Sequence, residues 1–186
     1  MGGWHGAHCE GAPLRTLFGI LMWDIIFYTR VPDVFLTPFQ DAPLDLATFP
    51  AFFNNRKHAI EPALAALAMC TPREVAERVA LAWRLHYGTL CRGVNWGQYS
   101  LAFLQLVAAS LGGPGLAAMA RTLAVNFRHF AAGLPDLLLL RASTRHGDGA
   151  STPLDLDALL KHGGMVHGGR DAPEPVDEDG GGGSSG

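Results

Sequence analysis

Apolar residues recur at helical spacing over residues 14–28 (LRTLFGILMWDIIFY), where Leu14, Leu17, Phe18, Leu21 and Ile25 fall within a circumference that is apolar almost all round. This pattern predicts a buried helix. Pro32 closes it, and four prolines within residues 31–50 predict an ordered, irregular connection pinned by Phe35, Phe39 and Phe49. A second helix is expected over 59–70. A third starts at Thr71, where Thr-Pro-Arg-Glu supplies an N-cap, a proline at the first helical position and a capping-box Glu74. It runs through Val75, Val79 and Trp83 to about Tyr87. A fourth helix covers 98–111 and ends at Gly112-Gly113-Pro114.

The fifth helix, over 115–131, has the cleanest amphipathic pattern. Leu116, Met119, Leu123, Phe127 and Phe130 face one way, and Arg121 and Arg128 lie on another side as a stripe about 10 Å long. Gly133 ends it. Residues 134–140 (LPDLLLL) form a short continuous apolar run of the kind found in a strand buried on both faces. After Arg141 the character changes: residues 142–186 hold 11 of the 23 glycines, 8 of the 17 acids and none of the 17 aromatics. Without an aromatic anchor that stretch is expected to be mostly disordered, with a loose helical turn or two at 153–162.

That division changes the meaning of the net charge of −3. Residues 1–141 carry 11 Lys and Arg against 9 Asp and Glu, and residues 142–186 carry 3 against 8. The mild acidity therefore belongs to the tail, and the body is neither strongly basic nor hostile to a nucleic acid. The apolar run at 17–28 is about twelve residues long and contains Asp24, short of the roughly 20 that a membrane span requires. Residues 1–10 (MGGWHGAHCE) show neither a basic start nor an apolar stretch, and Cys9, Cys70 and Cys91 lie too far apart for a disulfide framework or a CxxC site. A reducing, intracellular compartment is the expectation.

A few residues carry possible chemistry. Asp136 stands beside four leucines at the start of a buried strand; from pattern alone it reads first as a turn cap after Pro135, and second as the ligand of a divalent metal. Glu10, in a glycine-rich lead-in, reads alone as a solvated acid. Asp24 is expected to form a buried pair with Arg15 or another arginine. Arg121 and Arg128 are either a solvated face or phosphate contacts. His5, His8 and Cys9 have near-ligand spacing but no second cluster to complete a site, and His162 and His167 offer no more. Neither a phosphate loop nor a GxSxG elbow is present.

Several blocks, in order, resemble one family: Glu10-Gly11 followed by LRTLFGILMWDIIF, then PDVF, PLDL, SLGGPGLAAMARTLAVNFRHF and AAGLPDLLLL. Over about residues 9–141 the chain resembles the C-terminal VRR-type nuclease domain of the Fanconi-associated nucleases. The resemblance implies an α/β, restriction-endonuclease-like PD-(D/E)xK domain, here mostly helical with one core strand near 134–140, and a division into a partial domain at 1–141 and an insertion or tail at 142–186. It also implies a structure-specific DNA nuclease, a 5′-flap endonuclease and 5′–3′ exonuclease of interstrand-crosslink repair. Such an enzyme is nuclear, uses Mg²⁺ or Mn²⁺, and takes branched DNA and repair proteins as partners. Glu10 matches the family's first metal-site acid and Asp136 the Asp of its GLPD strand, making both catalytic metal ligands. Arg128, and with it Arg121, becomes a DNA phosphate contact.

One element of the family pattern is missing. The Glu-x-Lys of the following strand occurs nowhere in these 186 residues; Asp155-Leu156-Asp157 with Lys161 has the wrong spacing. The resemblance therefore implies a domain interrupted inside an insertion, whose isolated form cleaves little or nothing. A non-catalytic helical fragment that binds DNA or protein is the alternative.

Overall fold

Helix α1 (Ala12–Leu21) is covered on both sides, as its apolar circumference requires. It sits in a computed structural model that describes residues 4–141, 143–145 and 151–153. Leu17 and Ile20 join one core with Val75, Val79 and Trp83 of α4 (Pro72–His86) and Phe103, Leu104 and Val107 of α5 (Leu101–Val125). Phe18 and Met22 join a second with Phe52, Ile60 and Leu64 of α3 (Ala51–Ala68) and Leu123 of α5. Each such side chain, fully buried, contributes about 1.5–3 kcal/mol. The apolar run does not form one helix to Tyr28: the backbone breaks at Met22, and a single turn, α2 (Trp23–Ile26), completes it.

Helix α4 begins where its capping box predicts. The Thr71 hydroxyl accepts from the Glu74 amide at 3.3 Å, and the Glu74 carboxylate accepts from the Thr71 amide at 2.7 Å. Helix α3 starts earlier than the pattern predicts, at Ala51 instead of residue 59. Its buried stripe is Phe52, Arg56, Ile60 and Leu64, and an arginine on the inner face hides the period. Arg56 is wholly buried because its Nη1 donates to Asp45 at 2.7 Å and its guanidinium lies over the Phe52 ring, 4.6 Å from the centroid.

Gly112 (φ 66°, ψ 173°) is non-helical and divides α5 at a kink into two helical limbs, the expected fourth and fifth helices, at the break that Gly112-Gly113-Pro114 predicts. A Cβ on Gly113 would stand 2.4 Å from the Leu67 carbonyl and 2.6 Å from that of Cys70, so the glycine lets α5 meet the end of α3 backbone to backbone. Among the described residues α5 is also the one helix with the length and apolarity of a membrane span. It packs against both α3 and α4. The fifth helix does not continue to residue 131. Asn126 (φ −150°) interrupts it and caps α6 (Phe127–Ala132), its Oδ1 accepting from the His129 amide at 3.2 Å.

The leucine run forms β2 (Leu137–Leu140), which pairs antiparallel with β1 (His5–His8), from His5 opposite Leu140 to His8 opposite Leu137. It is not covered on both faces. Leu138 and Leu140 pack on the core, while Leu137 and Leu139 keep more than half their surface exposed. A second antiparallel pair joins β3 (Ser143–Arg145) to β4 (Ser151–Pro153). The rest of the expected disordered stretch, His162 and His167 included, lies outside the described residues. The described chain is thus mostly helical with two small two-stranded sheets. In the 31–50 connection the inner positions are Val34, Ala42 and Leu46 rather than the predicted aromatics; Phe39 and Phe49 point to solvent, and only Phe35 is partly covered, stacked on Phe27.

Candidate active site

The β1–β2 pairing brings the two ends of the described body together. Past the ladder, the carbonyl of Asp136 accepts from the Cys9 amide at 2.8 Å and from the Glu10 amide at 3.3 Å. Glu10 and Asp136 therefore sit side by side at the rim of one small sheet, and both are exposed. Glu10 (φ 46°) and Gly11 (φ 67°) are successive left-handed residues, which turn the chain sharply from β1 into α1. A left-handed non-glycine residue costs about 1–2 kcal/mol, and such strain is retained where the surroundings over-determine it.

Arg15 supplies part of that restraint. Its Nη1 donates to the Glu10 carbonyl at 2.7 Å and to the Ala131 carbonyl at 3.1 Å, tying the turn to the end of α6. The pairing expected between Arg15 and Asp24 is therefore not formed, and Asp24 is exposed instead of buried. Spacing offers no signal for what Arg15 does, because its two acceptors are main-chain carbonyls at distant positions.

Among the described residues the Asp136 carboxylate has no hydrogen-bond or ion-pair partner. Glu10 faces the His8 imidazole, Nε2 to Oε1 3.7 Å, and both side chains are largely in water. His8, Cys9, Glu10, Ala12, Arg15 and Gln98 line a recess of about 320 Å³. Cys9 turns inward and is buried while His8 faces solvent, so these two do not address one ion. No third His, Cys, Asp or Glu joins the two acids among the described residues. Two hard oxygen donors on an open rim match Mg²⁺ or Mn²⁺, which keep several waters and take one or two carboxylates together with substrate phosphates.

The two arginines are placed differently from each other. Arg121 is engaged, its guanidinium bidentate to Glu61 of α3 at 2.8 and 2.5 Å, and that contact holds the Glu61 carboxyl below its usual range. Arg128 is exposed on α6 without an ion-pair partner among the described residues. Because Asn126 separates α5 from α6, the two do not form the continuous stripe that a single helix would have given.

The VRR-NUC domain family matches residues 71–152, from the N-cap of α4 into β4, a range that includes Asp136 and leaves Glu10 ahead of it. The Fanconi-associated nuclease 1 homolog of Oryza sativa subsp. japonica is 46% identical over 149 residues, covering 80% of this chain and 15% of the relative. The Fanconi-associated nuclease 1 homolog of Arabidopsis thaliana is 43% identical over 140 residues (75% of this chain, 15% of the relative), and the Homo sapiens protein is 39% identical over 142 (76% and 14%). The chain thus spans about one seventh of the length of these relatives. The fold is similar to that of paFAN1 crystallised with DNA bearing a 2-nt 5′ flap and a gap: TM-score 0.64, 26% identity, 74% of this chain and 24% of that one. By sequence over three quarters of its length, and by fold, this chain is similar to the Fanconi-associated nucleases, and its residues 71–152 match the VRR-NUC domain family.

Proposed function

We propose that this chain supplies two metal-ligand carboxylates, Glu10 and Asp136, to a metal-dependent, structure-specific DNA nuclease. The observation that carries the proposal is the pair of backbone hydrogen bonds that seats Glu10 beside Asp136 although the two lie at opposite ends of the body. The relatives' names, and the 5′-flap DNA bound to the structural neighbour, support DNA as the substrate. In finer terms the parent is a 5′-flap endonuclease and 5′–3′ exonuclease acting in interstrand-crosslink repair in the nucleus. Repair proteins are its further partners.

Glu10 and Asp136 would hold Mg²⁺ or Mn²⁺, which, when bound, lowers the pKa of a coordinated water and offsets charge on the scissile phosphate. The chain's own residues position the groups. β1 and β2 fix the separation of the two backbones, Arg15 holds the Glu10 turn, and Arg128 offers its guanidinium to a neighbouring phosphate. Hydrolysis forms a bond from water oxygen to phosphorus as the bridging P–O bond breaks, and the departing oxygen takes up a proton. A Glu-x-Lys strand, which would add a carboxylate and a cation, is absent from these residues. We place it in a continuation of the domain past residues 142–186.

That absence, with the lack of a third ligand among the described residues, favours a second reading, a non-catalytic helical piece that binds DNA or protein. The test is cleavage of 5′-flap DNA by the 186-residue chain and by the domain extended through a Glu-x-Lys strand. The extended form should cleave with Mn²⁺ or Mg²⁺, stop on chelation, and lose the activity in Asp136→Ala; the shorter chain should show little or none. An extended Asp136→Ala protein that cleaves normally would remove Asp136 from the mechanism.

A further inference from the structure

Helix α4 carries two leucines one turn apart, Leu81 and Leu85, that keep 56% and 67% of their surface exposed. With Leu21 of α1, Trp23 of α2 and Leu67 of α3 they line an open groove of about 290 Å³. Two charged groups complete the lining, Arg78 and Asp24. Neither has a hydrogen-bond or ion-pair partner among the described residues; Arg78 is felt only by Glu74 one turn back, and Asp24 by His86. The other charges of α4 are engaged elsewhere: Arg73 pairs with Glu77, Glu74 closes the capping box, and Arg84 Nε donates to the Ala80 carbonyl at 3.2 Å.

The order of these groups along the groove decides what fits it. Trp23 stacks on the His86 ring at 4.1 Å, so its neighbour Asp24 lies at the His86 end of α4. Arg78 stands eight residues before His86, about 12 Å along a helix. The groove is therefore positive at one end, apolar in the middle and negative at the other end. Such a surface is complementary to itself. A two-fold axis through its middle turns α4 antiparallel to its copy, sets Leu81 against the partner's Leu85, and brings Arg78 to the partner's Asp24 on both sides of the axis. A foreign helix would have to supply both charges at that spacing, whereas a second copy supplies them by symmetry.

We infer that the α4 groove is a contact between two copies of this chain. Glu10 precedes α1 and Leu21 ends it, ten residues and about 15 Å away, so pairing leaves both carboxylate rims open. One helix face offers less than the roughly 800 Å² per partner of a standard interface, and association is expected at about 10 μM to 1 mM. Sedimentation velocity of the 186-residue chain across that range tests it. The mean mass should rise toward that of a dimer, and Leu81→Glu should weaken association at least about 10-fold. Arg78→Asp alone and Asp24→Arg alone should each stay monomeric, while an equimolar mixture of the two should pair, because each chain then meets the opposite charge. Melting temperatures close to the native value would show that these exposed substitutions leave the fold intact. A native chain that is monomeric throughout, a dimer that Leu81→Glu leaves unchanged, or a mixture that stays monomeric would overturn the contact, and none of these outcomes bears on the nuclease reading.

Discussion

A Cβ placed on Gly11 would stand 2.2 Å from the Cβ of Leu134, so the turn that carries Glu10 rests on the segment leading into Asp136 with room for hydrogen alone. Gly11 also has φ 67°, a conformation that L side chains resist. Gly11→Ala should therefore cost about 2–4 kcal/mol by combining overpacking with backbone strain. The urea unfolding midpoint measures it. Native-like stability would show that the turn can lift away from β2.

Arg15 bridges two carbonyls, of Glu10 and Ala131. Arg15→Ala should lose about 1–3 kcal/mol of stability and speed hydrogen exchange at the Cys9 and Glu10 amides more than at the α4–α5 core. Arg15→Lys should recover only part of the protection, since an ammonium lacks the planar fork. Uniform exchange across the molecule would mean that Arg15 supports the fold in general and not the turn.

The Arg56–Asp45 pair is buried and incompletely satisfied, with Asp45 Oδ1 and Arg56 Nε and Nη2 lacking hydrogen-bond partners among the described residues. Asp45→Ala leaves a buried cation and should cost about 3–5 kcal/mol, whereas Asp45→Leu with Arg56→Met should be near neutral. Thermal unfolding of the single and double variants decides this. A double variant as unstable as the single would assign the loss to the loop's shape.

Two groups give stability opposite pH slopes. Burial against Trp23, whose ring stacks on the imidazole at 4.1 Å, lowers the His86 pKa, with Asp24 opposing weakly. The stability His86 contributes is present above the ordinary value of 6.5 and lost as pH falls through the lower folded value. Burial, helped by Asp41, pushes the Cys91 thiol from 9.0 to about 12. Its contribution is present below pH 9 and lost as pH rises toward 12. Melting temperature should fall on both sides, with the acid limb flattened by His86→Gln and the alkaline limb by Cys91→Ala. An alkaline limb that Cys91→Ala leaves unchanged would rule out the thiol as its cause.

Local chemistry made much of the fold legible. Thr71-Pro72-Arg73-Glu74 marks a helix start because the cap, the proline and the returning carboxylate all act within one turn. Gly112-Gly113-Pro114 marks a break, and Gly112 leaves helical geometry there. Asn126 is an N-cap in an amphipathic stretch whose period runs on past it, so the interruption stayed hidden. Arg56 concealed the start of α3 because a buried arginine counts as polar in any pattern. The partner of β2 was invisible for another reason: HGAH carries too few apolar residues to announce a strand, and backbone pairing with the leucines defines it. Asp136 stands out by its place beside four leucines and Glu10 only by resemblance, and their adjacency is a property of the folded chain.

The β1–β2 ladder also sets a timetable for synthesis. Glu10 leaves the ribosome roughly 125 residues ahead of Asp136, a delay of about 6–25 s at ordinary elongation rates, and the helices that form the floor of the sheet are made in between. A nascent chain therefore carries one acid without the other until its helical body is complete. Whatever ion binding the pair supports becomes available only when the first strand and the last strand of that body have met.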